Sequence, residues 1–256
     1  MPRAPSDFWD YLRDATPARI ALGRVGDALP TRRVLEFQLA HAKARDAVET
    51  ALDPAPLLAE LAHWRPILVR SQADDRRTFL QRPDLGRRLA PPSAEALAPE
   101  RPGAYDATIV IADGLSAAAA QTQGPPLCKM LLATQGLSFA PPVVALQARV
   151  ALGDEIAARQ GARMALVLIG ERPGLSACDS LGAYLTIDPA PGATSDARRN
   201  CVSNIRPDGL SLEDASRRIL ALMFAARALG LTGTELKEDD ALALEHIPNG
   251  LVQSVR

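Results

Sequence analysis

Two stretches of the chain hold the residue types that could do chemistry. Gly170-Glu171-Arg172-Pro173-Gly174 follows the short apolar run from Met164 to Ile169. Arg199-Asn200-Cys201-Val202-Ser203-Asn204-Ile205 is reached through Pro189-Ala190-Pro191-Gly192. Glycines at such places let backbone approach a bulky ligand, and Glu, Asn and Ser offer it hydrogen bonds. Read by themselves, these residues leave alternatives open. Glu171 is either an acceptor for amide donors on a ligand or a structural charge, paired with Arg172 or capping a helix. Cys201 alone reads as a small buried hydrophobe. Val150, on an apolar helical face, reads as core.

Other chemistries find little support. His41, His63 and His246 share no metal-ligand spacing, so no zinc or iron site is expected. Cysteines 128, 178 and 201 are odd in number with no Cys-x-x-Cys, which fits neither a disulfide framework nor a metal site and points to a reducing compartment. There is no Gly-x-Ser-x-Gly and no phosphate-binding glycine loop, so a free-standing hydrolase is disfavoured.

The 256 residues are enough for a full core in one or two domains. A net charge of −1 leaves no basic excess to neutralise many phosphates, so nucleic acid is an unexpected partner. Neither a leader-like segment nor an apolar run long enough to span a bilayer is legible, and the expected location is the cytoplasm.

These residues must be positioned by regular elements. Thr31 is the expected N-cap of a helix over 31–52 carrying Leu35, Leu39 and Ala42 on one face and stopped by Asp53-Pro54. Residues 16–23 have no periodicity of their own and read as an arm needing a surface to lie on. The Pro-, Arg- and Ala-rich stretch 53–103, with its apolar piece Ile67-Leu68-Val69, reads as a boundary region. Beyond it the pattern becomes α/β. A strand at Thr108 to Ile111 leads through Asp113-Gly114 to an Ala-rich helix. A second helix is expected after Pro141-Pro142, with Val143, Leu146 and Val150 on one face and Gly161 at its end. Strands follow at Met164 to Ile169 and Ala183 to Ile187. A last helix opens at Ser211, carries Ala215, Ile219, Leu222 and Leu229, and stops at Gly230. The division expected is 1–103, a helical N-terminal region, and 104–256, an α/β domain with a mostly parallel sheet. In such sheets ligands sit beyond the carboxyl ends of the strands, in the loops that follow them, which favours the two stretches above, both read as loops.

Longer phrases carry a resemblance. Gly170-Glu171-Arg172-Pro173-Gly174-Leu175, Asp179-Ser180-Leu181-Gly182-Ala183-Tyr184 and Arg199 to Arg206 resemble the small subunit of ethanolamine ammonia-lyase. So do Thr16-Pro17-Ala18-Arg19-Ile20, Phe37 to Ala42, Arg82 to Arg87, Asp113 to Ser116 and Gly153 to Ile156, in the same order along the chain. The resemblance implies a Rossmann-like, cobalamin-binding C-terminal domain and an N-terminal region that contacts other subunits. It implies a higher hetero-oligomer of small–large pairs, with a large subunit whose barrel holds ethanolamine and the catalytic residues. Adenosylcobalamin would lie between the two, and acetaldehyde and ammonia would be the products. The cofactor contacts of the family carry over to Val150, Glu171 and Cys201. No Asp-x-His-x-x-Gly motif is present, so base-on cobalamin is expected. The family also brings in the bacterial microcompartment as a setting. A cobalamin-binding or scaffolding protein without a catalytic partner is the alternative.

Overall fold

The computed structural model describes residues 8–16, 18–97 and 100–237. Pro17, His246 and the Asn249-Gly250 tail lie outside the described residues. The fold is α/β, built on a six-stranded mixed sheet in the order β1-β3-β2-β4-β5-β6. The strands are β1 (Ile67–Arg70), β2 (Tyr105–Ala112), β3 (Val143–Leu146), β4 (Ala162–Gly170), β5 (Leu181–Ile187) and β6 (Asn200–Ile205). The four strands β1, β3, β2 and β4 pair in parallel, whereas β5 and β6 add on antiparallel. β2 and β4 are almost wholly buried, which is why both read as continuous apolar runs rather than alternating ones.

Helices cover the two faces unequally. On one face α3 (Pro54–Glu60) packs on β1 and β3, α6 (Ala117–Leu132) on β2 and β4, and α8 (Leu212–Leu229) on β5 and β6. On the other, α5 (Pro91–Ala96) packs on β1 and α7 (Leu152–Arg159) on β4 and β2. The larger core, with Ile109, Leu127, Leu166 and Met223, lies under the first set. A smaller one, with Val110, Val143, Leu152 and Val167, lies under the second. Two caps follow from sequence grammar. Ser116 accepts from Ala119 N at the start of α6, and Ser211 from Asp214 N at the start of α8, which Gly230 ends at φ +70°.

Several expectations are corrected. The stretch after Pro141-Pro142 opens as β3, not a helix, and α7 begins only at Leu152. The i, i+3 spacing of Val143 and Leu146 is equally compatible with a short buried strand, and the β-branched Val143-Val144 pair fills the gap between β1 and β2. Gly161, at φ +64°, does follow the end of α7. Residues 200–205 form β6 rather than a loop. Their Asn, Ser and Asn hide the strand, whose pairing with β5 also slips in register between Leu181 and Ala183. Ile67-Leu68-Val69, read within a boundary region, forms most of the edge strand β1. Leu229, read with the apolar face of α8, is exposed.

Ahead of the sheet lie α1 (Phe8–Ala15) and α2 (Thr31–Glu49). The N-cap of α2 is Pro30 rather than Thr31, and the helix ends at Glu49. It has no buried residue. Residues 18–22 are tied by Arg13 Nη1 donating to Ala21 O and Arg19 Nη2 donating to Leu175 O at 3.1 Å.

Candidate functional site

Where neighbouring parallel strands send their helices to opposite faces, the crevice between their carboxyl ends is the usual ligand position. Here β2 leads to α6 on one face and β3 to α7 on the other, but the protein fills that crevice itself. Asp113, fully buried, accepts from Ala148 N at 2.9 Å through Oδ1 and from Gln147 N at 2.8 Å through Oδ2. Arg76 Nη1 reaches the same Oδ2 at 3.4 Å and donates to Gly114 O at 2.8 Å. Burial pushes the Asp113 carboxyl up against the pull of those donors, and burial likewise lowers Arg76. At the next strand Gly170 lies so close to the start of α6 that a β-carbon there would come within 2.0 Å of Ser116 O.

A second surface remains open. α7 crosses β4 at Gly153, where a β-carbon would meet Val167 Cγ2 at 2.4 Å. From Val167 one row of the sheet runs outward through Tyr184 to Cys201. β5 and β6 take their helix packing on the opposite face, so along this row Val167 is buried, Tyr184 half-buried and Cys201 exposed. Val150, half-buried, packs against the same small core as Tyr184. One row further along, Gly182 is opposite Ile169, and Glu171 lies over it. A β-carbon at 182 would stand 3.0 Å from Glu171 Oε1.

Glu171 is fixed by its own strand pair. Its N–H donates to Ser180 O at 2.9 Å, and Ser180 Oγ donates to Glu171 Oε2 at 2.5 Å. Asn204 N donates to the same oxygen at 3.3 Å. Both side-chain bonds fall on Oε2, so Oε1 keeps its acceptor capacity. Among the described residues no ion pair joins Glu171 to Arg172, so the paired-charge alternative does not describe it. The loop between Glu171 and Ser180 is tied down by Ser116 Oγ donating to Cys178 O and Gln123 Nε2 donating to Asp179 O.

Cys201 is exposed, not the buried hydrophobe that its type suggests. Packing around its sulfur pushes the thiol pKa up, and Glu171 adds to this against a hydrogen bond with Tyr184. Burial, then Cys201 and Glu171, pushes the Tyr184 hydroxyl upward too. Both are neutral at physiological pH, so this surface offers a weak thiol and a phenol rather than a nucleophile. Buried Cys128 is raised to about 12.

The three residues singled out from sequence, Val150, Glu171 and Cys201, thus border one open face around Gly182 and Tyr184. Sequence reasoning assigned no individual role to Ser180, Gly182 or Tyr184. Period-two alternation along β5, with Gly182 and Tyr184 on one side, was the signal available. It also missed the strut beside the face, where Arg199 makes a bidentate pair with Asp154 at 2.8 and 2.7 Å and donates to Thr186 Oγ1. Beyond that strut a charged cleft of ≈ 390 Å³ is lined by residues including Arg87, Arg88, Asp154 and Glu155. None of Val150, Glu171 and Cys201 lines it. His41 and His63 lie apart, on α2 and just after α3.

Known proteins share this chain's sequence over nearly its whole length. Residues 6–237 match the profile of the family described as ethanolamine ammonia-lyase light chain (EutC). The ethanolamine ammonia-lyase small subunit of Xanthomonas campestris pv. campestris is 50% identical over 243 residues, covering 92% of this chain and 89% of that protein. That of Azotobacter vinelandii is 51% identical over 248 residues, covering 94% and 92%, and that of Ralstonia nicotianae 51% over 238, covering 90% and 88%. The chain is therefore of the class of carbon–nitrogen lyase subunits. It belongs to the ethanolamine ammonia-lyase light-chain family.

Proposed function

We propose that this chain is the small subunit of an adenosylcobalamin-dependent ethanolamine ammonia-lyase, and that its Rossmann-like body holds one side of the cofactor against a large catalytic subunit. The observation that carries the reading is the convergence of Val150, Glu171 and Cys201, distant in sequence, on one sheet face that the chain's own helices leave uncovered. The residues suit the group. A corrin rim bears carboxamides that need acceptors, and Glu171 keeps Oε1 for one. Val150 and Tyr184 offer apolar surface to the dimethylbenzimidazole, and the neutral Cys201 thiol adds contact without charge. A large flat ligand shared between two chains calls for an open face rather than a closed pocket on either one.

When bound, the cofactor supplies radical chemistry, and the protein supplies position and electrostatics. In this chain Ser180 and Asn204 orient the Glu171 carboxylate, while the Arg199–Asp154 pair braces α7 against β5. Ethanolamine is converted to acetaldehyde and ammonia on the partner, which carries the catalytic residues. With no Asp-x-His-x-x-Gly motif in the chain, cobalamin would be bound base-on, and a spectrum showing a protein histidine on the cobalt would sink that part of the reading.

The partner surface includes the N-terminal arm. Leu35, Phe37 and Leu39 on α2 are 58%, 45% and 58% exposed, and Trp9 and Tyr11 on α1 are exposed with them. Apolar side chains in that density mark an interaction surface. The test is acetaldehyde formation from ethanolamine and adenosylcobalamin by this chain, by the large subunit, and by the two co-expressed. Activity confined to the mixture is expected. Activity of the large subunit alone, or none in any arm, would overturn the shared-site reading.

A further inference from the structure

The loop that runs from Glu171 to β5 is held differently at its root and at its tip. The root is tied to the sheet and to α6: Glu171 N donates to Ser180 O, Ser116 Oγ to Cys178 O and Gln123 Nε2 to Asp179 O. The tip is a turn of its own, in which Gly174 N donates to Ala177 O at 2.7 Å and Leu175 is 37% exposed. Arg19 reaches that tip from 156 positions away, its Nη2 donating to Leu175 O at 3.1 Å. Arg19 belongs to the N-terminal arm. It lines a cleft of ≈ 300 Å³ together with Arg13 of α1 and Arg33 and Glu36 of α2. The arm is set in a definite shape there, since Ala21 takes φ +49°, a left-handed conformation that alanine rarely adopts, and Arg13 Nη1 donates to its carbonyl oxygen.

These contacts run from the partner surface to the cofactor face. Trp9, Tyr11, Val25 and Leu29, on α1 and in the chain between α1 and α2, are exposed and continue the surface assigned above to the large subunit. A partner that covers them fixes α1 and α2, and with these the walls of the cleft that Arg19 lines. A guanidinium donating to a carbonyl makes a charge-assisted hydrogen bond, but a long exposed side chain keeps it only where ordering of its surroundings offsets the lost rotamer freedom. We propose, resting on the cofactor reading above, that Arg19 is a positioning residue: seated by the large subunit, it pins Leu175 O and so fixes the loop whose first residue, Glu171, presents its carboxylate to the cofactor. Arg19 touches no cofactor in this scheme. It couples the docking of the partner to the retention of the cofactor through the arm.

The experiment compares wild type, Arg19→Met and Arg19→Lys, each as the isolated chain and as the co-expressed small–large complex. Amide hydrogen exchange of residues 173–177 is read without cofactor, cyanocobalamin affinity is read by absorbance, and complex size by gel filtration. In the wild type, exchange at 173–177 should slow when the isolated chain is joined by the large subunit. Arg19→Met keeps an unbranched stem and loses every donor. Its complex should still form, with the loop exchanging about tenfold faster than in the wild-type complex and cyanocobalamin bound about three- to tenfold more weakly. Arg19→Lys can still donate to a carbonyl and should recover most of both losses. Wild-type exchange and affinity in Arg19→Met would overturn the positioning role, and a lysine variant as impaired as the methionine one would overturn the hydrogen bond as its cause. Failure of Arg19→Met to assemble would make Arg19 an interface residue instead. A loop equally protected in the isolated wild-type chain would overturn the coupling to the partner. A wild-type complex that binds no cyanocobalamin would remove the cobalamin reading, while the exchange data, taken without cofactor, would still decide whether Arg19 holds the loop.

Discussion

Helices α2 and α8 are 19 and 18 residues long, and each shows apolar residues at helical spacing in the sequence. α8 buries eight residues against β5, β6 and α6, whereas α2 buries none. A helix with no buried residue draws little stability from its own chain's core, which fits the proposal that a partner subunit covers α2. Among the described residues the arm meets the body where α2 touches α6, where Arg76 Nε donates to Val48 O and where Arg19 donates to Leu175 O in the loop after Glu171. The sheet body instead closes on itself through buried ion pairs and two apolar cores. The sheet body buries its own apolar faces, whereas α2 leaves its apolar side chains exposed.

The sharpest break of that contrast is in the body. Asp154→Ala leaves Arg199, 3% exposed at its side chain, without its main partner. The expected loss is about 3–5 kcal/mol of stability, measured by denaturant unfolding of the isolated chain. A loss below about 1 kcal/mol would mean that water or Asp196 compensates the guanidinium. The double substitution Leu35→Ser with Leu39→Ser should do the reverse. Isolated-chain stability should change by no more than about 0.5 kcal/mol, while affinity for the large subunit falls by roughly 2–4 kcal/mol. Unfolding of the isolated variant would show that α2 packs on its own body after all.

At the open face the effects are smaller. Glu171→Ala should weaken cobalamin retention about tenfold while leaving assembly intact; unchanged affinity would remove Glu171 from the site. Cys201→Ser exchanges one small neutral donor for another and should change cofactor affinity less than threefold or so. Complete loss of activity in that variant would give the thiol a role that its raised pKa argues against.

The sequence made some of this architecture legible and hid the rest for identifiable reasons. The ends of α8 were readable because Ser211 and Gly230 act locally. The strand from Met164 to Ile169 was readable because a buried parallel strand has few alternatives for so short an apolar run. β3 was misread because four apolar residues carry no period of their own, and only the slot between β1 and β2 decides that they extend. β6 was invisible because a polar edge strand exists through its partner, not through its own alternation. At the site, Glu171 and Cys201 stood out by type and by phrase, but the free Oε1, the bare Gly182 that makes room for it and the exposure of Cys201 depend on pairing across β4, β5 and β6.

By itself, then, the sequence determined the α/β class, the family and the residues worth watching, since these rest on composition, local caps and contiguous phrases. Tertiary structure decided that Asp113 and Arg76 fill the crevice at the strand ends, that a different face stays open, and that α2 is left bare. Those outcomes depend on which faces meet and which buried polar atoms go unpaired, and no stretch of chain carries that information alone.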